Sequence, residues 1–161
     1  MMDTHKGILY KIARSYTKDK ADFEDLYQEM LVQLWQSYPR FEGKSKLSTW
    51  MYRVALNTAM TFVKKQRKHK ERSQAIGFQQ LSDNPFERQA AEQTHQAKLD
   101  LLYASIKQLK KEERAIVLLH LEGKQYDEIA AIIGITTSNV GVKLLRAKKK
   151  LQAMMVKKIK E

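Results

Sequence analysis

Three observations predict an all-α fold of two small helical domains joined by a linker. Six Gly and two Pro are the only strong helix interrupters in 161 residues. The apolar residues recur at three- and four-residue steps rather than alternating, and one stretch near the middle loses that period. With 43% apolar residues, the chain can pack a core in each half.

Ile8, Ile12 and Tyr16 mark a first amphipathic helix, and Phe23, Leu26, Tyr27, Met30, Leu31 and Leu34 a second. The second is expected to stop near Tyr38, because Pro39 disfavours helical geometry in the residue before it. A loop over 39–46 follows, and Ser48 or Thr49 is expected to cap a third helix through Trp50, Val54, Leu56 and Phe62. From Glu71 the composition turns to Gln, Ser, Asp and Asn, with a turn signal at Asn84-Pro85. We assign residues 1–70 to a first domain, 71–96 to a linker and 97–161 to a second domain. The competing assignment is one domain with an irregular extra helix beginning at Phe86 and Ala90.

In the second half, Leu99, Leu102, Ile106 and Leu109 predict one helix, and Ala115, Val117, Leu118 and Leu121 another that Gly123 ends. Residues 126–133 then form a short amphipathic helix, and Gly134 follows where a tight turn needs positive φ. Thr136, Thr137 or Ser138 is expected to cap a longer helix whose inward stripe is Val140, Leu144, Ala147 and Leu151. Its outward face carries Ser138, Asn139, Gly141, Val142, Lys143 and Arg146. These are small and polar where a recognition helix enters the major groove, and cationic further along where it meets phosphates. A plain αα-hairpin with a solvated basic face is the competing reading. Eight Lys or Arg against one acid from Lys143 to Glu161 weigh against it, being more than solubility requires. The domain therefore reads as a helix-turn-helix.

Charge points the same way for the whole chain. Thirty Lys plus Arg face 18 Asp plus Glu, for a formal net charge of +12, so a polyanion is the expected partner. No cysteine is present, which excludes a disulfide scaffold, a thiolate nucleophile and a zinc finger, and four scattered histidines offer no metal spacing. No cofactor, metal site, catalytic residue or small-molecule substrate is expected: paired carboxylates and a Gly-rich phosphate loop are also missing. No apolar run reaches the ~20 residues needed to span a bilayer, and the first residues lack a signal-peptide core, so a soluble, cytoplasmic protein is expected.

The third helix closes with Lys64, Lys65, Arg67, Lys68, Lys70 and Arg72 against Glu71 alone. Ahead of them, Phe41, Trp50, Tyr52 and Phe62 are interleaved with Arg40, Lys44, Lys46 and Arg53, a mixture suited to stacking unpaired bases while neutralising their backbone. Core packing is the competing role for Trp50 and Phe62. Asp19, Asp22, Glu24, Asp25 and Glu29 make an acidic helix edge suited to docking a protein rather than DNA.

At these residues the chain resembles extracytoplasmic-function (group IV) sigma factors of the sigma-70 family. Asp25-Leu26-Tyr27-Gln28-Glu29, Leu34-Trp35, the run from Arg40 to Ser45 and the run from Thr49 to Asn57 resemble region 2. The runs from Leu109 to Arg114, from Gly123 to Ala130 and from Arg146 to Leu151 are similar to region 4. The resemblance implies a promoter-recognition subunit whose partners are core RNA polymerase and promoter DNA, with an anti-sigma factor as a further partner the family allows. It implies that Asp25, Gln28 and Glu29 face the clamp helices of the largest polymerase subunit. Arg40, Phe41, Lys44, Ser45 and Lys46, with Trp50, Arg53 and Asn57 behind them, would hold the melted −10 strand. Thr137, Ser138, Asn139, Lys143 and Arg146 would enter the −35 major groove. One stretch departs from the common Thr-Val-Lys-Ser-Arg pattern: this chain has Asn139-Val140-Gly141-Val142-Lys143. A free-standing dimeric helix-turn-helix regulator is the alternative function, but it has no use for the aromatic-and-basic loop or the acidic helix of the first domain.

Overall fold

The computed structural model describes residues 2–74 and 94–160, and every regular element among them is helical. In chain order these are α1 (Met2–Tyr16), α2 (Lys20–Ser37), a 3-10 turn (Tyr38–Arg40), α3 (Leu47–Gln74), α4 (Thr94–Ile106), α5 (Lys111–Leu121), α6 (Tyr126–Ile133) and α7 (Thr137–Lys160). The expected Asn84-Pro85 turn, with Phe86 and Ala90, lies outside the described residues.

Local chemistry accounts for most helix ends. Asp19 caps α2, its carboxylate accepting from the Asp22 N–H at 2.8 Å. Pro39 sits in the 3-10 turn that closes α2, as the restriction on its predecessor requires. The third helix starts earlier than expected, at Leu47, so Ser48 and Thr49 lie in its first turn and do not cap it. It also continues to Gln74, past the point where the apolar period fades. Leu109 falls beyond the end of α4, in the turn before α5, yet is buried.

The helix-turn-helix has the expected form. Gly134 ends α6 at φ +84°, and its N–H donates to the Ala130 carbonyl at 2.8 Å. Thr136 then caps α7, its hydroxyl accepting from the Asn139 N–H at 3.2 Å. Val140, Leu144, Ala147 and Leu151 are all buried. Gly141 weakens this helix, because a mid-helix glycine carries a backbone-entropy cost. A Cβ built there meets only the Tyr126 ring, at 3.7 Å. Gly141→Ala is therefore expected to stabilise the fold by roughly 0.5–1 kcal/mol, read as a raised urea midpoint at unchanged m value.

In the first half, α2 and α3 pack on one another and on α1, burying Leu26, Met30, Leu34, Ala55, Leu56 and Ala59. Helix α1 has a second role that its period does not reveal. Ile8, Leu9, Ile12, Ala13 and Tyr16 are buried, and the helix touches α4 and α5 as well as α2 and α3. Helix α3 likewise touches α6. The apolar core is thus continuous from one half to the other.

Candidate nucleic-acid interface

Trp50 is the centre of the aromatic loop. Phe41 lies 5.3 Å from it between ring centroids, and Tyr38 lies edge-on at 6.2 Å. The ring is half-buried against the core, so packing and an open edge coexist. Phe62 is also packed against the core. Arg40, Lys44, Ser45 and Lys46 are exposed around this aromatic group. Lys44 pairs with Glu42 at 2.6 Å, both largely in solvent. Asn57 is exposed on α3 one turn beyond Arg53. The loop therefore offers flat rings beside mobile cations, which is what stacking and backbone neutralisation of a single strand need.

Arg53 is differently placed from the expectation of a free contact: its guanidinium donates to the Ala131 carbonyl of α6. Beside it, the Lys124 ammonium lies 5.1 Å over the Tyr52 ring. Burial, then the Glu122 and Glu128 carboxylates, push the Tyr52 hydroxyl up to about 12, so it stays neutral through the physiological range. The two halves thus meet at the back of the aromatic loop.

On α7, Thr137, Ser138, Asn139, Val142 and Arg146 are exposed. Lys143 is not: its ammonium donates to Glu112 on α5 at 2.6 Å, and Lys150 does the same to Glu113 at 2.7 Å. These pairs brace α7 against α5, so Lys143 reaches a base edge only by leaving Glu112. Helix α5 orients the recognition helix, a role invisible in the outward pattern of α7 alone.

The acidic edge of α2 divides. Asp19 is the cap, and Asp22 is half-buried, accepting from Gln66 of α3 at 3.4 Å. Asp25, Gln28 and Glu29 are exposed. Together with Val32 and Asn57 they line an open groove of about 740 Å³ between α2 and α3. The structure thus brings the three residues expected to face the polymerase to the same groove as Asn57 of the expected strand-binding set. Sequence reasoning missed Trp35, which is 80% exposed and continues the row Gln28, Val32, Trp35 at helical steps. Its signal was the failure of Trp35 to fit the inward period of Leu26, Met30 and Leu34.

Between the halves runs a seam of polar contacts. Lys11 pairs with Glu122 at 2.5 Å, and Arg14 with Asp100 at 2.5 Å. The Tyr16 hydroxyl donates to the Lys111 carbonyl at 2.8 Å. Arg114 donates to the carbonyls of Ser15 at 3.1 Å, Lys107 at 2.7 Å and Leu109 at 3.0 Å, and stacks 4.8 Å from the Tyr16 ring centre. Among the described residues no group of three or more His, Asp or Glu is placed to hold a metal ion, and no single helix is long and apolar enough to cross a membrane.

An aromatic, basic helical unit combined with a helix-turn-helix defines a class, and comparison with known proteins agrees. Residues 1–69 match the family model Sigma-70 region 2, and residues 99–151 match Sigma-70, region 4. The chain belongs to the sigma-70 family of RNA polymerase sigma factors, in its extracytoplasmic-function group. It is 29% identical to the ECF RNA polymerase sigma factor SigX of Bacillus subtilis, across 91% of this chain and 80% of that one. It is 28% identical to SigV of the same organism, across 95% and 87%. The sigma factor RpoE of Bartonella quintana, solved with the anti-sigma factor NepR, has a similar fold, with a TM-score of 0.71 over 96% of this chain and 98% of that one at 21% identity.

Proposed function

We propose that this sigma factor docks on core RNA polymerase through the outward face of α2 and directs it to promoters with two elements. The observation that carries the docking step is the row Asp25, Gln28, Glu29, Val32 and Trp35, polar and aromatic, exposed on a helix whose opposite face is core. A large indole kept in solvent is an unfavourable arrangement for an isolated chain, and buried aromatics dominate interface energetics. Asp25 and Glu29 add a negative edge that repels DNA and favours a basic protein surface.

The −10 strand is assigned to Arg40, Phe41, Lys44, Ser45, Lys46, Trp50, Arg53 and Asn57, and the −35 duplex to Thr137, Ser138, Asn139, Lys143 and Arg146. Flipping a base costs a few kcal/mol, and stacking at roughly 1–3 kcal/mol per base offsets it. Elements about 25 base pairs apart at ~3.4 Å each are separated by roughly 85 Å. The two halves pack directly on each other, with Arg53 on Ala131, so engaging both elements requires the seam to open. We assign 1–70 to the polymerase and −10 domain, 71–96 to the linker and 97–161 to the −35 domain. The chain acts by binding and strand capture rather than as an enzyme, and it works in the cytoplasm, where polymerase is. An anti-sigma protein is a natural further partner, since two sigma factors of similar fold were solved with such partners.

Trp35→Ala is expected to weaken binding to core polymerase at least tenfold, about 1.4 kcal/mol, with an unchanged melting temperature. Surface plasmon resonance on immobilised core enzyme, beside a melt of each protein, reads both. Unchanged affinity would refute the docking assignment. A stable dimer that ignores core polymerase would favour the free-standing regulator instead. Duplex −35 binding is expected to fall steeply with salt. If four or five phosphates are neutralised, log K against log[KCl] has a slope of about −4. A flat plot would remove the phosphate contacts from the account.

A further inference from the structure

A second cavity, about 430 Å³, lies on the seam itself. One wall is the turn between α1 and α2 together with the end of α3, and the other comes from the α4–α5 region. Five cations line it: Lys18, Arg67 and Lys70 from the first half, Lys107 and Arg114 from the second. Asp22 and Glu71 are its acids. Glu71 pairs with Arg67 at 3.7 Å, which leaves four cations against Asp22, a local excess of +3. Burial, then Asp19 and Asp25, raise the Asp22 carboxyl and weaken it further as a counter-charge.

The inner cations keep their charge without a full counter-ion. The hydrogen bonds of Arg114 run to three carbonyls, which satisfy donors but carry no net charge, and its Nε is buried without a partner. Burial, then Arg14, Arg114 and Lys18, push the Lys107 ammonium below the lysine range, with Asp100 acting in the opposite direction. Cations gathered in a partly desolvated cleft repel one another and gain most from a ligand with two or more negative charges. The volume falls in the range of small-ligand sites, roughly 300–1,000 Å³, and a concave cleft of this size does not admit a DNA duplex.

We propose that the seam cavity binds a compact, multiply charged anion of the phosphate class, held between Lys18, Arg67 and Lys70 of the first half and Lys107 and Arg114 of the second. A ligand held from both sides ties the halves together, so it opposes the opening that simultaneous use of both DNA faces requires. The binding itself does not depend on the promoter reading.

Isothermal titration calorimetry of the full chain tests this, with inorganic tripolyphosphate and then orthophosphate as probes, in about 150 mM KCl. Saturable binding of one tripolyphosphate per chain is expected, tighter than orthophosphate. Lys18→Gln combined with Lys70→Gln removes two exposed cations of the rim, so the fold persists. Kd should rise about tenfold or more. Lys157→Gln combined with Lys158→Gln removes the same charge from the end of α7, outside the cavity, and should change Kd by no more than about twofold. Absence of saturable heat would overturn the proposal. Equal weakening by both pairs would also overturn it, since that is the behaviour of diffuse attraction to a basic protein.

Discussion

Replacing Arg114 by Ala is expected to destabilise the folded chain by about 3–5 kcal/mol, a large share of the stability of a domain this size. The guanidinium holds the carbonyls of Ser15, Lys107 and Leu109 and lies over the Tyr16 ring. Three carbonyls that lose their donor in a partly desolvated site forfeit about 1 kcal/mol each, and the cation–ring contact adds roughly 1–2. The Ser15 carbonyl and the Tyr16 ring belong to α1, the other two carbonyls to the α4–α5 turn, so one side chain pins both halves. Arg114→Lys should recover little of this, because a single ammonium cannot reach three acceptors in a planar fork. Urea unfolding followed by far-UV circular dichroism measures the loss. A change below about 1 kcal/mol would mean that water replaces the guanidinium and that the pin is incidental.

Trp50→Ala is the second large effect. It removes the ring around which Phe41 and Tyr38 are arranged, and with it the surface on which an unpaired base is expected to stack. A stacked base is worth roughly 1–3 kcal/mol, so the fraction of promoter opened should fall between about fivefold and 150-fold. Affinity for core polymerase should stay nearly constant, because the docking row lies on α2. Permanganate footprinting of the −10 region reads opening, and Trp50→Tyr separates stacking from packing because it keeps a ring on the core. If opening and polymerase affinity fall together in Trp50→Ala, the indole serves only to hold the loop.

How far the sequence revealed this molecule depended on whether the signal was local. The α6–Gly134–α7 unit was legible throughout, because a glycine at positive φ and a stripe at helical steps are properties of adjacent residues. The stop of α2 at Pro39 was legible for the same reason. The start of α3 was not: Ser48 and Thr49 are good caps, but the helix begins ahead of them at Leu47. Roles that depend on distant partners left no local trace. Arg114 looks like one more surface cation in Glu112-Glu113-Arg114, and its partners Ser15 and Tyr16 are almost a hundred residues away. Lys143 fits an outward recognition face by position, yet Glu112 of α5 holds it. The acidic edge of α2 read as uniform, whereas Asp19 caps the helix and Asp22 faces α3. The seam was hidden because α1 satisfies its own amphipathic period while also covering α4 and α5.

Run-off transcription with purified core polymerase on fragments of the native genome tests the central claim most directly. Transcripts of defined length should appear only when the protein is added, and their start sites should share two upstream sequence blocks at a constant spacing. They should be abolished by combining Trp35→Ala with Trp50→Ala. A preparation that is folded and binds DNA, but yields no protein-dependent transcript from any native fragment, would contradict the account.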